Sequence, residues 1–211
     1  MNRKILRSVV IDAGHGGSDP GASSNGIVEK DYTLKISKYI NGRLNELGIN
    51  SSLSRDSDIS LNPEQRVKKI QSLYGNGSDV IVISNHLNAG GGDGAEIIYS
   101  LRNNNELSKK IAKELEIVGQ NVRKYYQRRL PSNPSKDYYF IHRLTPDNES
   151  IIVEYGFVDS KGNDPDLIKN DWKILAEAVV KAVTDYIGAD YIAPNESNYY
   201  TVKSGDTFFM G

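Results

Sequence analysis

The chain has 211 residues, of which 25% are charged and 38% hydrophobic, and its net charge at pH 7 is -1. This nearly neutral composition gives no electrostatic basis for binding nucleic acid or a strongly anionic membrane, and no apolar stretch is long enough to span a bilayer. Because the chain has no cysteine, disulfides, thiol catalysis and thiolate metal ligands are excluded. Any metal must therefore be bound by carboxylates or by the three histidines.

The chain alternates between predicted strands and predicted helices. Short apolar runs bounded by glycine or polar turn residues predict strands at residues 9–12, 49–53, 79–84, 95–100, 138–142 and 150–155. Helical spacing of apolar residues predicts four helices, which run from the cap Asp31 to Gly48, from the cap Asn62 to residue 75, over 106–118 and over 166–187. This alternation implies an α/β fold, a twisted and largely parallel sheet with helices on both faces.

Three polar residues stand at the carboxyl ends of predicted strands, where α/β sheets carry their sites. His15 follows the first strand, His86 follows DVIVIS, and Glu154 ends SIIVEY. Glu29 lies just before the first helix, where it can fold back beside His15. A single histidine after a strand is more often a surface or hydrogen-bonded residue. Two of three histidines at equivalent strand ends, with acids nearby, favour the His, His and carboxylate ligand set of a catalytic zinc.

The remaining acid of this group is Glu154, which suits the role of general base and general acid. A carboxylate that is not a zinc ligand can take a proton from water and pass it to a leaving amine. The alternative is a structural glutamate in a salt bridge with a neighbouring helix, although burial in an apolar run makes that arrangement costly.

Other polar motifs have alternative interpretations. The loop GHGGSDPGA matches neither the dinucleotide fingerprint nor the P-loop, so its glycines are expected to let the backbone turn around a ligand residue. We expect Asn85 and Asn88 to orient His86, bind substrate or serve ordinary turns. Arg55, Asp56 and Arg66 are expected to form structural ion pairs. His142 is expected to be a hydrogen-bonded residue that lines a groove and not a fourth metal ligand. The tyrosine pairs 125–126 and 138–139 are expected to belong to the core or the rim.

Several separated motifs occur in one order along residues 8–187: VVIDAGHGGSDPGA, EKDYTLKIS, LSRDSD, LNPEQR, VISNHLNA, GAEIIYS and VEYGFVDS. In this the chain resembles the zinc-dependent N-acetylmuramoyl-L-alanine amidases of bacterial autolysins and phage endolysins. The resemblance implies one Zn²⁺ bound by His15, Glu29 and His86, with Glu154 as the catalytic glutamate. It also implies that the substrate is peptidoglycan, cleaved by zinc-activated water between N-acetylmuramic acid and the L-alanine of the stem peptide.

The domain organisation follows from the extent of this resemblance. Residues 1–187 are assigned to the catalytic domain, 188–198 to a linker, and 199–211 to the truncated start of a module that resembles a LysM repeat, which binds cell-wall glycans. Residues 128–150, RRLPSNPSKDYYFIHRLTPDNES, match the family's pattern poorly. This segment is expected to shape the groove on the peptide side of the site.

Two other functions stay open at the level of the sequence. One is a zinc peptidase that cuts within the stem peptide, and the other is a non-catalytic wall-binding protein. The N-terminus has no signal-peptide pattern. The protein is therefore expected to be made in the cytoplasm and to reach the wall after phage lysis or mother-cell lysis. A monomer without membrane insertion is also expected.

Overall fold

The computed structural model of the protein describes residues 7–194. In chain order the elements are β1 (Ser8–Ala13), β2 (Ser23–Ser24), β3 (Ile27–Val28), α1 (Glu29–Glu46), β4 (Ser51–Leu53), α2 (Pro63–Tyr74), β5 (Val80–Asn88), β6 (Ala95–Tyr99), α3 (Glu106–Ile117), β7 (Val122–Tyr126), β8 (Arg129–Leu130), β9 (Asn133–Asp137), α4 (Phe140–Leu144), β10 (Glu149–Phe157), α5 (Asp164–Asn170) and α6 (Trp172–Ile187).

The central sheet has six strands in the order β4-β1-β5-β10-β6-β7. The first four of these are mutually parallel, whereas β6 runs antiparallel to β10 and carries β7 parallel to itself. The register pairs Ala13 with Asn85 and Glu154 with His86. The carboxyl ends of β1, β5 and β10 therefore meet at one edge. The predicted α/β fold with a largely parallel sheet is confirmed.

Helices cover both faces of this sheet. One face carries Val9, Ile11, Ile81, Ile83 and Ile151, which pack with the apolar sides of α1, α3 and α6 in the larger core. The alternate residues Val10, Val82 and Ile152 face the other way and pack with Ile70 of α2 and Ile141 of α4. This alternation along continuous apolar strands is what a sheet buried on both faces requires.

Helix α2 starts where its sequence signals predict. Asn62 Oδ1 accepts the backbone N–H of Gln65 at 2.9 Å, and Gln65 Oε1 accepts the backbone N–H of Asn62 at 3.0 Å. This reciprocal pair is a capping box, and Pro63 occupies the first helical position without losing a hydrogen bond.

The largest error of the sequence prediction is residues 138–142, which do not form a strand. A short apolar run does not distinguish strand from buried helix, and here Phe140–Leu144 form α4. The guanidinium of Arg102 donates to the carbonyl oxygens of His142 at 2.7 Å and Thr145 at 2.5 Å. These bonds satisfy the open C-terminal end of the short helix.

Smaller differences concern element boundaries. Asp31 lies in the first turn of α1, which begins at Glu29, so it is not the cap. The predicted helix 166–187 is two helices separated at Asp171. The sheet also has an exposed edge strand, β7, that the sequence did not predict. Its charged sequence, VRKYY, lacks the apolar alternation that indicates a strand.

Helix α6 ends at Ile187, with Gly188 in a left-handed conformation at φ 66°. No helix within residues 7–194 is long and apolar enough to cross a membrane. The predicted LysM-like module, and residues 195–198 of the predicted linker, lie outside the described residues.

Candidate metal centre

The structure brings His15, Glu29 and His86 together at the carboxyl edge of the sheet. His15 Nε2 lies 3.1 Å from Glu29 Oε1, and His86 Nδ1 lies 2.9 Å from the same oxygen. One donor atom from each residue lies within 4.8 Å of the others. The two imidazole rings meet edge to face with centroids 5.0 Å apart. Three separate elements thus present their donors to one point: the loop after β1, the first residue of α1, and β5.

Small residues make this convergence sterically feasible. A Cβ added at Gly14 would overlap the ring of His86, and a Cβ at Gly21 would come within 2.7 Å of His15 Cδ2. His15 itself has a φ of 59°, a left-handed conformation that costs free energy for a residue with a side chain. The glycines of the loop leave the space that the three donors occupy.

Two of the three candidate ligands, His15 and Glu29, are oriented by further hydrogen bonds. His15 Nδ1 lies 2.8 Å from Asp19 Oδ2, which fixes the ring so that Nε2 faces Glu29. Glu29 Oε2 accepts the backbone N–H of Ala22 at 2.8 Å, and Glu29 Oε1 accepts that of Leu87 at 2.9 Å. Imidazoles that bind metals commonly have such a partner on the other nitrogen. Sequence reasoning gave Asp19 no role, because a position four residues after His15 in a loop does not by itself show that the two side chains meet.

The charges of the cluster are strongly coupled. Burial lowers the pKa of His15, but the hydrogen bond and charge of Glu29, followed by those of Asp19, outweigh it and raise the pKa to about 9. Burial opposes ionisation of Glu29, yet its bonds to both imidazoles hold its pKa well below the usual range. The site is therefore built around a carboxylate that attracts positive charge, and two imidazole nitrogens with one carboxylate oxygen suit zinc.

A buried ionic network beneath the loop fixes its backbone. Arg66 pairs with Asp12 at 2.7 Å and donates to the carbonyl oxygen of His15 at 2.8 Å. Arg55 donates to the carbonyl oxygens of Ala13 at 3.0 Å and Gly14 at 2.9 Å. Both arginines thus hold the segment that carries His15 and act structurally. Asp56 is exposed and accepts a bond only from the Ser57 hydroxyl among the described residues.

Glu154 lies on β10, beside His86 of β5. Its Oε2 is buried and has no hydrogen-bond partner within residues 7–194, and no salt bridge joins it to a helix there. The alternative of a structural salt bridge is therefore wrong for the described chain. Burial raises the pKa of Glu154 to about 7; the charge of His86 opposes this rise, and those of Glu29 and Glu96 add to it.

The remaining polar residues divide between site and scaffold. Asn85 is buried, where it accepts from the Tyr155 hydroxyl at 2.8 Å and donates to Ser37 at 2.8 Å. Asn88 lines a groove together with Glu154. His142 lies within α4, is 1% exposed and does not line that groove, and its Nε2 makes no hydrogen bond to a described residue. It is neither part of the donor cluster nor the satisfied, groove-lining residue that was predicted.

Two cavities adjoin the centre. One of about 180 Å³ reaches from His15 and His86 to Tyr139 and Phe140. The other is a groove of about 940 Å³ that contains Glu154 on its surface and is bordered by residues 124–129 and Tyr139. Segment 128–150, which matches the family's pattern poorly, contributes Arg128, Arg129 and Tyr139 to the border of this groove. The sequence predicts that this segment shapes a groove at the site.

The fold and the site define an α/β enzyme domain with a candidate metal centre at the carboxyl edge of its sheet. Residues 9–185 match the sequence model of the N-acetylmuramoyl-L-alanine amidases. Because this match spans most of the chain, the protein belongs to the N-acetylmuramoyl-L-alanine amidase family.

The curated relatives include an uncharacterized protein and a named amidase. The chain is 31% identical over 183 residues to the uncharacterized protein YqiI of Bacillus subtilis, covering 85% of this chain and 84% of YqiI. It is 32% identical over 118 residues to the N-acetylmuramoyl-L-alanine amidase LytC of the same organism, covering 54% of this chain and 23% of LytC. The chain thus spans most of YqiI but less than a quarter of LytC.

A solved structure shares the fold over nearly its whole length. The N-acetylmuramoyl-L-alanine amidase AmiC2 of Nostoc punctiforme superimposes with a TM-score of 0.73 at 25% identity, covering 87% of this chain and 98% of that one. The architecture described above is therefore that of an amidase catalytic domain.

Proposed function

We propose that this chain is a zinc-dependent hydrolase that cleaves the amide bond between N-acetylmuramic acid and the L-alanine of the peptidoglycan stem peptide. Family membership supports the choice of bond. The observation that carries the chemistry is the convergence of donors from His15, Glu29 and His86 within 4.8 Å of one another. Glu154, whose buried Oε2 has no hydrogen-bond partner within residues 7–194, lies on the neighbouring strand.

His15, Glu29 and His86 are the residues that would hold the zinc ion. Two histidines and one carboxylate form the three-ligand set of catalytic zinc sites. When bound, zinc supplies Lewis acidity, which polarises a carbonyl group and makes water more acidic. Asp19 would keep the His15 ring aligned for this role through its bond to Nδ1, 2.8 Å long.

Glu154 is proposed to move the proton. Water attacks the lactyl carbonyl carbon, so that a C–O bond forms and the C–N bond to alanine breaks. The Glu154 carboxylate takes a proton from the water and then gives it to the departing nitrogen, which leaves as an amine. Before zinc is bound, burial raises the pKa of Glu154 to about 7, so its carboxylate accepts a proton more readily than that of an exposed glutamate. The same side chain can take the proton and then return it.

The test is digestion of purified peptidoglycan with the zinc-loaded protein, followed by mass spectrometry of the soluble products. We expect free stem peptides with an L-alanine amine at the N-terminus and glycan strands that keep intact lactyl groups. Peptides cut internally would replace the amidase with a zinc peptidase. Wall binding without new ends, in protein verified to contain zinc, would identify a non-catalytic wall-binding protein.

A further inference from the structure

The groove of about 940 Å³ next to Glu154, here called the Glu154 groove, has a wall that is rich in cations and tyrosines. The wall is formed by the end of β7 and the start of β8, residues 124–129, and Tyr139 lies on its border. Tyr125 is 39% exposed and Tyr138, next to the groove, is 37% exposed. These tyrosines belong to the rim of the site and not to the core.

Two of the cations near this wall are already paired. Arg123 Nη1 lies 3.1 Å from Glu96 Oε1, and Lys124 Nζ lies 3.7 Å from the same oxygen. Glu96 is buried and also accepts from the Tyr126 hydroxyl at 3.1 Å. Arg123 and Lys124 thus share one buried carboxylate, which ties β7 to the neighbouring strand β6.

Arg128 differs from them because no carboxylate within residues 7–194 pairs with it. Its guanidinium carbon lies 3.8 Å from the ring centroid of Tyr138. Its Nη1 donates to the Tyr139 hydroxyl at 3.3 Å. The backbone of the hairpin supports this arrangement, since the N–H of Tyr138 donates to the carbonyl oxygen of Arg128 at 2.8 Å.

This geometry orients the guanidinium while using little of its hydrogen-bonding capacity. A guanidinium has five N–H donors, and stacking on an aromatic ring engages its face and leaves its edge free. An oriented guanidinium edge on a solvent-accessible wall is well suited to a two-pronged bond with a carboxylate. Side chains that line the groove thus combine an unpaired, preoriented cation with the carboxyl of Glu154.

We propose that Arg128 is a specificity residue that binds a carboxylate on the peptide half of the substrate. This inference rests on the proposed function, in which Glu154 donates a proton to the departing alanine nitrogen. The departing peptide must then lie on the Glu154 side of the metal centre. Since Glu154 and Arg128 border the same groove, that groove receives the peptide, and the anionic groups of the peptide meet Arg128.

The residues that form this proposed carboxylate site belong to segment 128–150, which matches the family's pattern poorly. Arg128 opens this segment, and Tyr138 and Tyr139, which orient it, lie ten and eleven residues further along the chain. The hairpin of β8 and β9 returns the chain between them, so the oriented arginine and its aromatic supports form one local unit. A change in this segment would alter peptide preference without touching the donor cluster.

The test compares the wild type with Arg128→Gln on two substrates. One is a muramyl tetrapeptide with free carboxylates, and the other is the same compound with those carboxylates converted to carboxamides. Arg128→Gln is expected to lower kcat/KM roughly 10- to 100-fold on the first substrate, the usual loss of a charge-assisted hydrogen bond, and to leave the second unchanged. The matched control is Lys136→Gln, which removes an exposed cation from the same hairpin but not from the groove lining.

Equal losses on both substrates would mean that Arg128 only supports the groove, and no loss on either would give it no role; both results overturn the proposal. Binding of the free tetrapeptide, measured by calorimetry without turnover, separates this inference from the proposed function. One outcome is that the wild type binds the peptide more tightly than its carboxamide, that Arg128→Gln abolishes this difference, and that no amide bond is cleaved. In that case Arg128 binds the peptide carboxylate, and the proposed amidase activity is wrong. If the amide bond is cleaved but the peptide and its carboxamide bind equally well, the proposal for Arg128 is wrong and the proposed amidase activity is unaffected.

Discussion

Glu154 of β10 lies directly beside His86 of β5, which is a candidate metal ligand, in the parallel register of the two strands. The parallel pairing therefore holds the carboxyl proposed for proton transfer and a candidate metal ligand at a fixed separation on two central strands. Sites built on such strands are positioned more precisely than sites built on loops.

The first prediction separates metal binding from turnover. Glu154→Gln keeps the shape of the side chain but removes its ability to exchange a proton, so zinc content should be unchanged and kcat should fall about 100- to 10,000-fold. Metal analysis of the purified variant and the rate of amine release from peptidoglycan measure the two effects. Glu116→Gln makes the same substitution at an exposed position of α3 and should keep both zinc and activity. Near-normal turnover of Glu154→Gln would remove Glu154 from the mechanism.

The second prediction concerns the space at Gly14. In Gly14→Ala the new methyl group would overlap the His86 ring and displace Nδ1 from Glu29, so zinc affinity should fall. Overpacking of this kind also destabilises a protein by about 1 to 3 kcal/mol. A competition titration with a chromophoric chelator measures the affinity, and urea unfolding measures the stability.

The control for this substitution is Gly42→Ala. Gly42 lies within α1, where an added Cβ meets no heavy atom within 4 Å, so alanine should raise stability by up to about 1 kcal/mol. Zinc affinity should not change. Equal zinc affinity in both alanine variants would mean that the His86 ring accommodates the methyl group and that Gly14 is not needed for the site.

The donor cluster could be predicted from the sequence, whereas Asp19, which orients His15, and Arg128 of the Glu154 groove could not. His15 and His86 are predictable because each follows a strand whose apolar run is unmistakable, and parallel strands deliver their ends to one edge. Asp19 and Arg128 escaped prediction because they act from loops or strand ends whose path depends on tertiary contacts. Both have ordinary local sequences, and only the folded chain brings Asp19 to His15 and Arg128 to Tyr138.

Helix α4 illustrates the same limit within the fold. Its apolar residues suit a strand or a buried helix equally well, and the deciding contact comes from Arg102, some forty residues earlier in the chain. The local pattern of apolar residues indicates that a segment is buried, but it does not indicate which distant side chain will donate to the free carbonyl groups at a helix end.

The third prediction tests the orienting role of Asp19. Asp19→Ala removes the acceptor that lies 2.8 Å from His15 Nδ1 and should weaken zinc binding about 10- to 100-fold, as loss of such partners does at other metal sites. The exposed Asp56→Ala, elsewhere on the same surface, is the matched control and should bind zinc normally. If both variants bind zinc like the wild type, the His15 ring is held by Glu29 alone.

The fourth prediction uses His142, which is buried away from the donor cluster. Burial and, to a smaller extent, the charge of Arg102 lower its pKa from 6.5 to about 3. Asp137 lies 3.9 Å away, but its carboxylate already accepts the N–H of Leu101 and faces Arg102, so it does not stabilise a protonated imidazole. The folded protein therefore holds His142 neutral at pH values where the unfolded chain protonates it.

The sign of the effect follows from this difference. Between about pH 6.5 and pH 3 the unfolded state binds one more proton than the folded state, so the free energy of unfolding falls as the pH is lowered, by up to about 1.4 kcal/mol per pH unit. Above that range His142 contributes no pH dependence. Urea unfolding at pH 7, 6, 5 and 4 should give a smaller decline for His142→Gln than for the wild type, whatever constant offset the substitution adds. Parallel declines for the two proteins would show that His142 is accessible to protons in the folded state, contrary to its burial within α4.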